Sequence, residues 1–139
     1  MIEAFIIPII GKEIVVKAFS ETSFSIYNSL HDLQTYNHYD FKTLIEQLDI
    51  QSKIEIINLY VKEKEETEML SESIKKAIDS LLTIIKKINY EIQEIKDEIN
   101  NHKFKWFYSF RSPDIRDKIN NLVNHSIVFE KRMDLLLKL

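Results

Sequence analysis

The sequence contains no cysteine, one glycine and two prolines, and it has no large excess of either charge. Without cysteine the chain cannot form disulfides, thiolate zinc sites or iron–sulfur clusters, and it has no cysteine nucleophile. Phosphate-binding loops need several glycines, so the single Gly11 excludes the P-loop and Rossmann classes of nucleotide-binding protein. The formal charge of −3 over 139 residues argues against nucleic acid as a sole partner.

Long hydrophobic runs are also missing. No uninterrupted apolar stretch approaches the ~20 residues that a bilayer-spanning helix requires. The first residues include Glu3 and no early basic cluster, which is not typical of a secretory signal. We therefore expect a protein of the reducing cytoplasm.

The first two segments are predicted to differ in structure. Residues 2–19 hold two short β-branched runs on either side of Gly11, which favours a β-hairpin, and Pro8 restricts the first strand to an edge. From Ser20 the apolar period changes to about three, which predicts a helix over residues 22–35 carrying Phe24, Tyr27, Leu30 and Leu33, with Ile26 alongside. A short helix beginning at Asp40 follows, with Phe41, Leu44, Ile45 and Leu48 on one face.

A long helix is predicted next. Ser52 and Glu55 have the spacing of a capping box, so the helix is expected to open there. Residues 62–68 carry no apolar side chain, and a break in this stretch is the alternative to a rod-like molecule. Beyond it runs a strict heptad seam with spacings of four and three: Ile74, Ile78, Leu81, Ile85, Ile88, Ile92, Ile95 and Ile99.

A second seamed helix is predicted over residues 113–138, because Ser112 and Pro113 form a helix-start signal. Its seam continues the same spacing with one polar member, Ser126. Two helices that each carry one apolar seam and are joined by about ten residues should fold back as an antiparallel hairpin. With the turn centred near Tyr108, the numbers of two residues that face each other add up to about 216. That register pairs His125 with Glu91 and Lys118 with Glu98. A two-helix hairpin is thin, so a third helix is expected to cover it, either from residues 22–48 or from another molecule.

The predicted fold class is therefore mainly α. We expect an elongated, coiled-coil-like antiparallel hairpin over residues 61–139, carried by a small N-terminal head of residues 1–60 that includes the β-hairpin and short helices.

The principal candidate site is the segment at the tip of the hairpin, residues 103–111. It places five aromatic residues within seven positions, against 11% aromatics in the whole chain, and it holds the single tryptophan. Aromatic and arginine side chains are the usual anchors of protein interfaces. The candidate partner-binding residues are Lys103, Phe104, Lys105, Trp106, Phe107, Tyr108, Phe110 and Arg111. The alternative is that these aromatics close the open end of the hairpin core.

No constellation of catalytic or metal-ligating residues is recognised. The four histidines, His31, His38, His102 and His125, show no metal-binding spacing. His31 and His38 with Asp40 form the residual candidate for a catalytic site in the head. No catalytic, cofactor-binding or metal-binding residue is therefore predicted.

The sequence favours a non-enzymatic, α-helical interaction protein, an adaptor or assembly subunit, that docks on a larger complex through residues 103–111. A homo-oligomer remains open, because isoleucine at both seam positions favours association of helices. A peripheral membrane protein anchored by the same aromatic residues, with Lys103, Lys105 and Arg111 on anionic headgroups, is the alternative.

Overall fold

A computed structural model describes residues 2–34, 36, 39–67, 71–102 and 114–139, with side chains described from residue 17 onward except at 39, 40, 66 and 67. The helices are α1 (Ile2–Leu33), α2 (Tyr39–Leu48), α3 (Ile50–Thr67), α4 (Glu72–His102) and α5 (Arg116–Leu137). The prediction of a mainly helical protein is confirmed.

The β-hairpin predicted over residues 2–19 is not confirmed. These residues form the first part of α1, and no strand occurs in the described ranges. A short apolar run rich in isoleucine fits a buried helix as well as a strand, because its periodicity does not distinguish the two. The preference of β-branched residues for strands is weak and yields to tertiary context.

The second half of α1 buries a face that matches the predicted one only in part, at Ile26, Leu30 and Leu33. Phe24 is 66% exposed, whereas Ile26 and Phe19 are fully buried. Spacings of four and three relate the buried positions Phe19, Ser23, Ile26, Leu30 and Leu33. The three-residue period read from Phe24 drifts around a helix of 3.6 residues per turn, so only its later members, Leu30 and Leu33, lie on the buried face.

The predicted short helix is present as α2, and its Phe41 is 3% exposed. It begins at Tyr39, one residue before the predicted start at Asp40, and it ends at Leu48. Asp49 follows with a φ of 48°, in the left-handed region. The next helix, α3, resumes at Ile50, and the amide of Lys53 donates to the carbonyl of Asp49. The predicted start at Ser52 is therefore wrong, because Ser52 lies inside the helix rather than at its N-cap.

A break separates α3 from α4. The former ends at Thr67 and the latter begins at Glu72, so residues 53–103 do not form one unbroken helix. Ser71 caps α4, since its Oγ accepts a hydrogen bond of 3.3 Å from the amide of Ile74. The predicted seam is the buried face of α4, where seven members are buried and Ile74 is half-buried: Ile78, Leu81, Ile85, Ile88, Ile92, Ile95 and Ile99.

The α5 helix begins later than predicted, at Arg116. The carbonyl of Ile115 accepts the first helical hydrogen bond, from the amide of Ile119. The Ile115 side chain is 6% exposed, so the helix begins directly after a residue that is buried in the core. The predicted cap at Ser112 and Pro113 lies outside the described residues. The predicted polar seam position is confirmed, because Ser126 is 5% exposed and its Oγ donates to the carbonyl of Leu122.

Helices α4 and α5 pack against each other in opposite directions. His125 lies 3.8 Å from Glu91, and the Arg132 guanidinium donates to the carbonyl of Ser80 at 2.8 Å. Later residues of α5 thus meet earlier residues of α4, and the predicted His125–Glu91 pair is present. The pairing of Lys118 with Glu98 stays a prediction.

Helix α1 provides the third helix that the hairpin was expected to need. It packs against both α4 and α3, and side chains from α1 to α5 form one hydrophobic core. This core includes residues on both sides of position 60, at which the head was predicted to end. The division into a head and a hairpin stays a prediction.

Candidate functional site

The predicted docking segment, residues 103–111, lies outside the described residues, but both of its flanks are described. On the α4 side His102 is 8% exposed, and on the α5 side Ile115 is 6% exposed. Since α4 and α5 run in opposite directions, these two anchored positions belong to the same end of the helix pair.

Polar side chains line the contact between α1 and α4. Ser25 Oγ donates to Asn89 Oδ1 at 3.1 Å, and Gln93 Nε2 donates to Ser25 at 3.2 Å and also to Ser29. Ser29 is 1% exposed, so its hydroxyl is satisfied within the interface. This polar cluster was not anticipated, because single Ser, Asn and Gln residues in helices carry no signal until their partner helix is known.

An ion pair continues this polar contact toward the end of α1. Lys96 Nζ lies 2.7 Å from Asp32 Oδ2, with the carboxylate side chain about half exposed. The hydrogen bond from Lys96, and then the positive charge of the same group, lower the pKa of Asp32. The pair therefore favours the ionised carboxylate and ties the C-terminal turn of α1 to α4.

Contacts between ionisable side chains also tie α5 to its neighbours. Glu91, at 8% exposure, is the one acidic residue buried within the described ranges, and it faces His125. Lys53 Nζ of α3 lies 3.6 Å from Glu130 of α5 and also donates to the carbonyl of Leu48. These contacts join helices that already share the apolar core.

Two hydroxyls on α1 are buried without a hydrogen bond to any described residue, those of Ser23 and Tyr27. Burial raises the pKa of Tyr27, and the negative charge of Glu55 raises it further. Burial also raises the pKa of Tyr36, whose ring meets Phe41 edge to face with 5.7 Å between centroids. Neither tyrosine is thereby activated, because a raised pKa keeps the phenol neutral.

The histidines are not brought together. His31 is exposed on α1, His102 is buried at the end of α4, and His125 pairs with Glu91 across α4 and α5. His38 lies outside the described residues, and only the backbone of Asp40 is described. Within the described ranges, no three His, Asp or Glu side chains are grouped so that they could hold a metal ion.

Large apolar side chains are exposed at scattered positions of the described surface. Ile56 and Leu59 share the solvent face of α3, and Phe24 and Tyr90 lie on the outer faces of α1 and α4. Of the helices described, none is both long and apolar enough to cross a bilayer.

Comparison with known proteins found one distant similarity. The chain is 23% identical, over 90% of its length and 74% of the relative's, to an uncharacterized protein of Acanthamoeba polyphaga mimivirus. No family model matches the chain. No solved structure matches it either.

Proposed function

We propose that this protein is a non-enzymatic adaptor or assembly subunit that docks on a larger protein complex through residues 103–111. In this proposal α4, the connecting segment and α5 form an antiparallel, coiled-coil-like hairpin of a cytoplasmic protein. One observation carries the proposal. Five aromatic and three basic residues are concentrated in the connection between two helices that run in opposite directions from one anchored end.

The buried flanks support this assignment. Ile99 and His102 on α4 and Ile115 on α5 are each under 10% exposed. We infer that closing this end of the core does not occupy all five aromatic side chains of residues 103–111. Aromatic side chains that bind a partner bury large areas at low entropic cost.

The small number of charges in residues 103–111 favours a protein partner. Lys103, Lys105 and Arg111 are its only ionised side chains at neutral pH, and they alternate with aromatic residues. Three cations are few for nucleic-acid binding, whose affinity grows with the number of phosphates neutralised. Aromatic anchors surrounded by a polar rim are typical of protein interfaces.

The test is a double substitution, Trp106→Ser with Phe107→Ser, compared with wild type in affinity capture from native lysate. We expect one stoichiometric partner to be captured by wild type and lost in the variant, while the helical circular-dichroism signal stays near the wild-type value. The matched control is Phe24→Ser with Tyr90→Ser, which removes two aromatics exposed by more than 60% elsewhere on the surface. The control should retain the partner.

Three results would contradict the proposal. Partner capture by the Trp106/Phe107 variant would show that docking occurs elsewhere. Loss of helicity in that variant would assign the aromatics to the core. Flotation of wild type with anionic liposomes at low salt, together with no captured protein, would favour the membrane alternative. Because Trp106 is the only tryptophan, acrylamide quenching of its fluorescence reports its exposure directly.

A further inference from the structure

The apolar seams of α1 and α4 do not by themselves determine how the two helices align. Both repeat with spacings of four and three, and α4 presents isoleucine at nearly every seam position. Sliding α1 by one helical turn, about 5.4 Å, again places aliphatic side chains on aliphatic side chains. Registers that differ by one turn are therefore close in hydrophobic free energy.

The polar contacts distinguish between these registers. Ser25 bonds to Asn89, Ser29 to Gln93, and Asp32 pairs with Lys96. In each of these three pairs the α4 residue lies 64 positions after its α1 partner. The two helices therefore run parallel, and all three pairs are consistent with the same alignment. The three α1 residues are separated by four and then three positions, and so are their three partners on α4.

A shift of α1 along α4 by one helical turn separates all three pairs at once. Moving α1 by four residues toward the C-terminal end of α4 brings Ser29 level with Asp97 and Asp32 level with Asn100. Asp32 then loses its cation, and Asn89 loses Ser25 and comes level with Glu21. Gln93 keeps Ser25 as a partner but loses Ser29, in an interface that is half-buried at Asn89 and Gln93. A half-buried polar group that loses its partner destabilises the shifted alignment, whereas the contacts between the apolar seams change little.

We propose that Ser25, Ser29, Asn89 and Gln93, with the Asp32–Lys96 pair, form a register lock that selects one axial alignment of α1 on α4. Their proposed role is to select the alignment, whatever they add to overall stability, as for single polar residues in the seams of coiled coils. The lock sets where α1 ends against α4, and hence where the turn into α2 lies. The inference does not depend on the proposed docking function.

The test measures the distance between spin labels on the full chain. Because the sequence has no cysteine, Asn28→Cys and Lys76→Cys provide the only labelling sites. Both native side chains are exposed. Asn28 is level with Ile92, so the labels are separated along α4 by sixteen residues, about 24 Å. A one-turn shift changes this separation by about 5 Å.

In the Asn89→Leu/Gln93→Leu variant we expect a second distance population displaced by about 5 Å, with the helical signal retained. The matched control is Ser126→Ala, which removes a buried hydroxyl that bonds only within α5, and it should show one population. A single population at the wild-type distance in the leucine variant would overturn the proposal.

A charge swap provides a second test that does not depend on the leucine variant folding. Asp32→Lys places two ammonium groups together and should broaden or split the distance distribution. Adding Lys96→Asp restores an opposite pair and should restore one population. An unchanged distance distribution in Asp32→Lys would contradict a role of the ion pair in selecting the register. Failure of the double substitution to restore one distance population would contradict the proposed register lock as well.

Discussion

At the scale of single residues, the described polar groups are mostly paired across helices, and Tyr27 is an exception. Its hydroxyl is buried and makes no hydrogen bond with the described part of the chain. A buried hydroxyl without a partner pays the cost of desolvation without compensation. The same burial, and the nearby charge of Glu55, raise the pKa of the phenol.

Replacing Tyr27→Phe is therefore expected to leave the free energy of unfolding unchanged or to raise it by up to about 1 kcal/mol. Urea denaturation at neutral pH measures this. Above about pH 10 the unfolded chain ionises Tyr27 before the folded chain does, so wild type should lose stability more steeply with pH than the variant. Tyr90→Phe, at an exposed tyrosine, is the control, and a loss of stability in Tyr27→Phe alone would indicate that the hydroxyl has a partner.

The Asp32–Lys96 pair predicts a dependence of stability on acidic pH. Because the folded state lowers the pKa of Asp32, its contribution is present above the unfolded value of 3.8 and is lost as pH falls through the lower, folded value. Asp32→Asn should be less stable than wild type at pH 7, and the difference should shrink as pH falls below 3.8 and disappear once Asp32 is protonated in the folded state. Denaturation curves at several pH values measure it, and a difference that persists in acid would contradict the assignment.

At the scale of elements, the seam of α4 was predictable, whereas several helix ends were not. Regular spacing of apolar residues over 25 positions leaves little alternative to an amphipathic helix. Helix ends depend on one or two side chains. Ser52 was predicted to cap a helix but lies inside α3, which begins at Ile50 directly after the positive φ of Asp49. Ser71, which was not predicted as a cap, caps α4. The run over residues 2–19 was ambiguous for a related reason, since apolar side chains with no single period fit a strand or a helix.

The two serines form a matched pair of substitutions. Ser71→Ala removes the acceptor for the Ile74 amide and should lower the free energy of unfolding by about 1 kcal/mol. Ser52→Ala lies inside an exposed turn of α3 and should be neutral or slightly stabilising, because alanine has the higher helix propensity. Thermal denaturation of both variants measures the difference, and equal effects would be inconsistent with these helix boundaries.

At the scale of the whole molecule, α4 is the central element. It packs against α1 on one side and against α5 on another, and Ile85, Ile88, Ile92 and Ile95 are fully buried. The short α2 contributes one buried side chain, Phe41. Local opening should therefore expose α2 at low cost, whereas exposing α4 requires most of the core to separate.

Native-state hydrogen exchange should reveal this order. We expect the amides of residues 84–95 to exchange most slowly and only through global unfolding, and those of α2 to exchange fastest among the helices with described side chains. Exchange measured against denaturant concentration separates local from global opening. Faster exchange in α4 than in α2 would contradict a core centred on α4.

The candidate site was predictable only as a composition. The aromatic and basic residues at 103–111 are visible in the sequence, because their density departs from the rest of the chain. The polar cluster between α1 and α4 was not, since Ser25 and Gln93 lie 68 positions apart and become partners only when two helices pack.

The sequence by itself determined the helical class, the apolar face of α4, the antiparallel match of α5 and the absence of cysteine chemistry, because these follow from composition and local period. The tertiary structure decided which serine caps α4, which face of α1 is buried, and which polar residues meet across α1 and α4. Such choices depend on neighbours distant in sequence. A repeating isoleucine seam determines that the helices associate. Polar residues with the same spacing on both helices determine the axial position at which they associate.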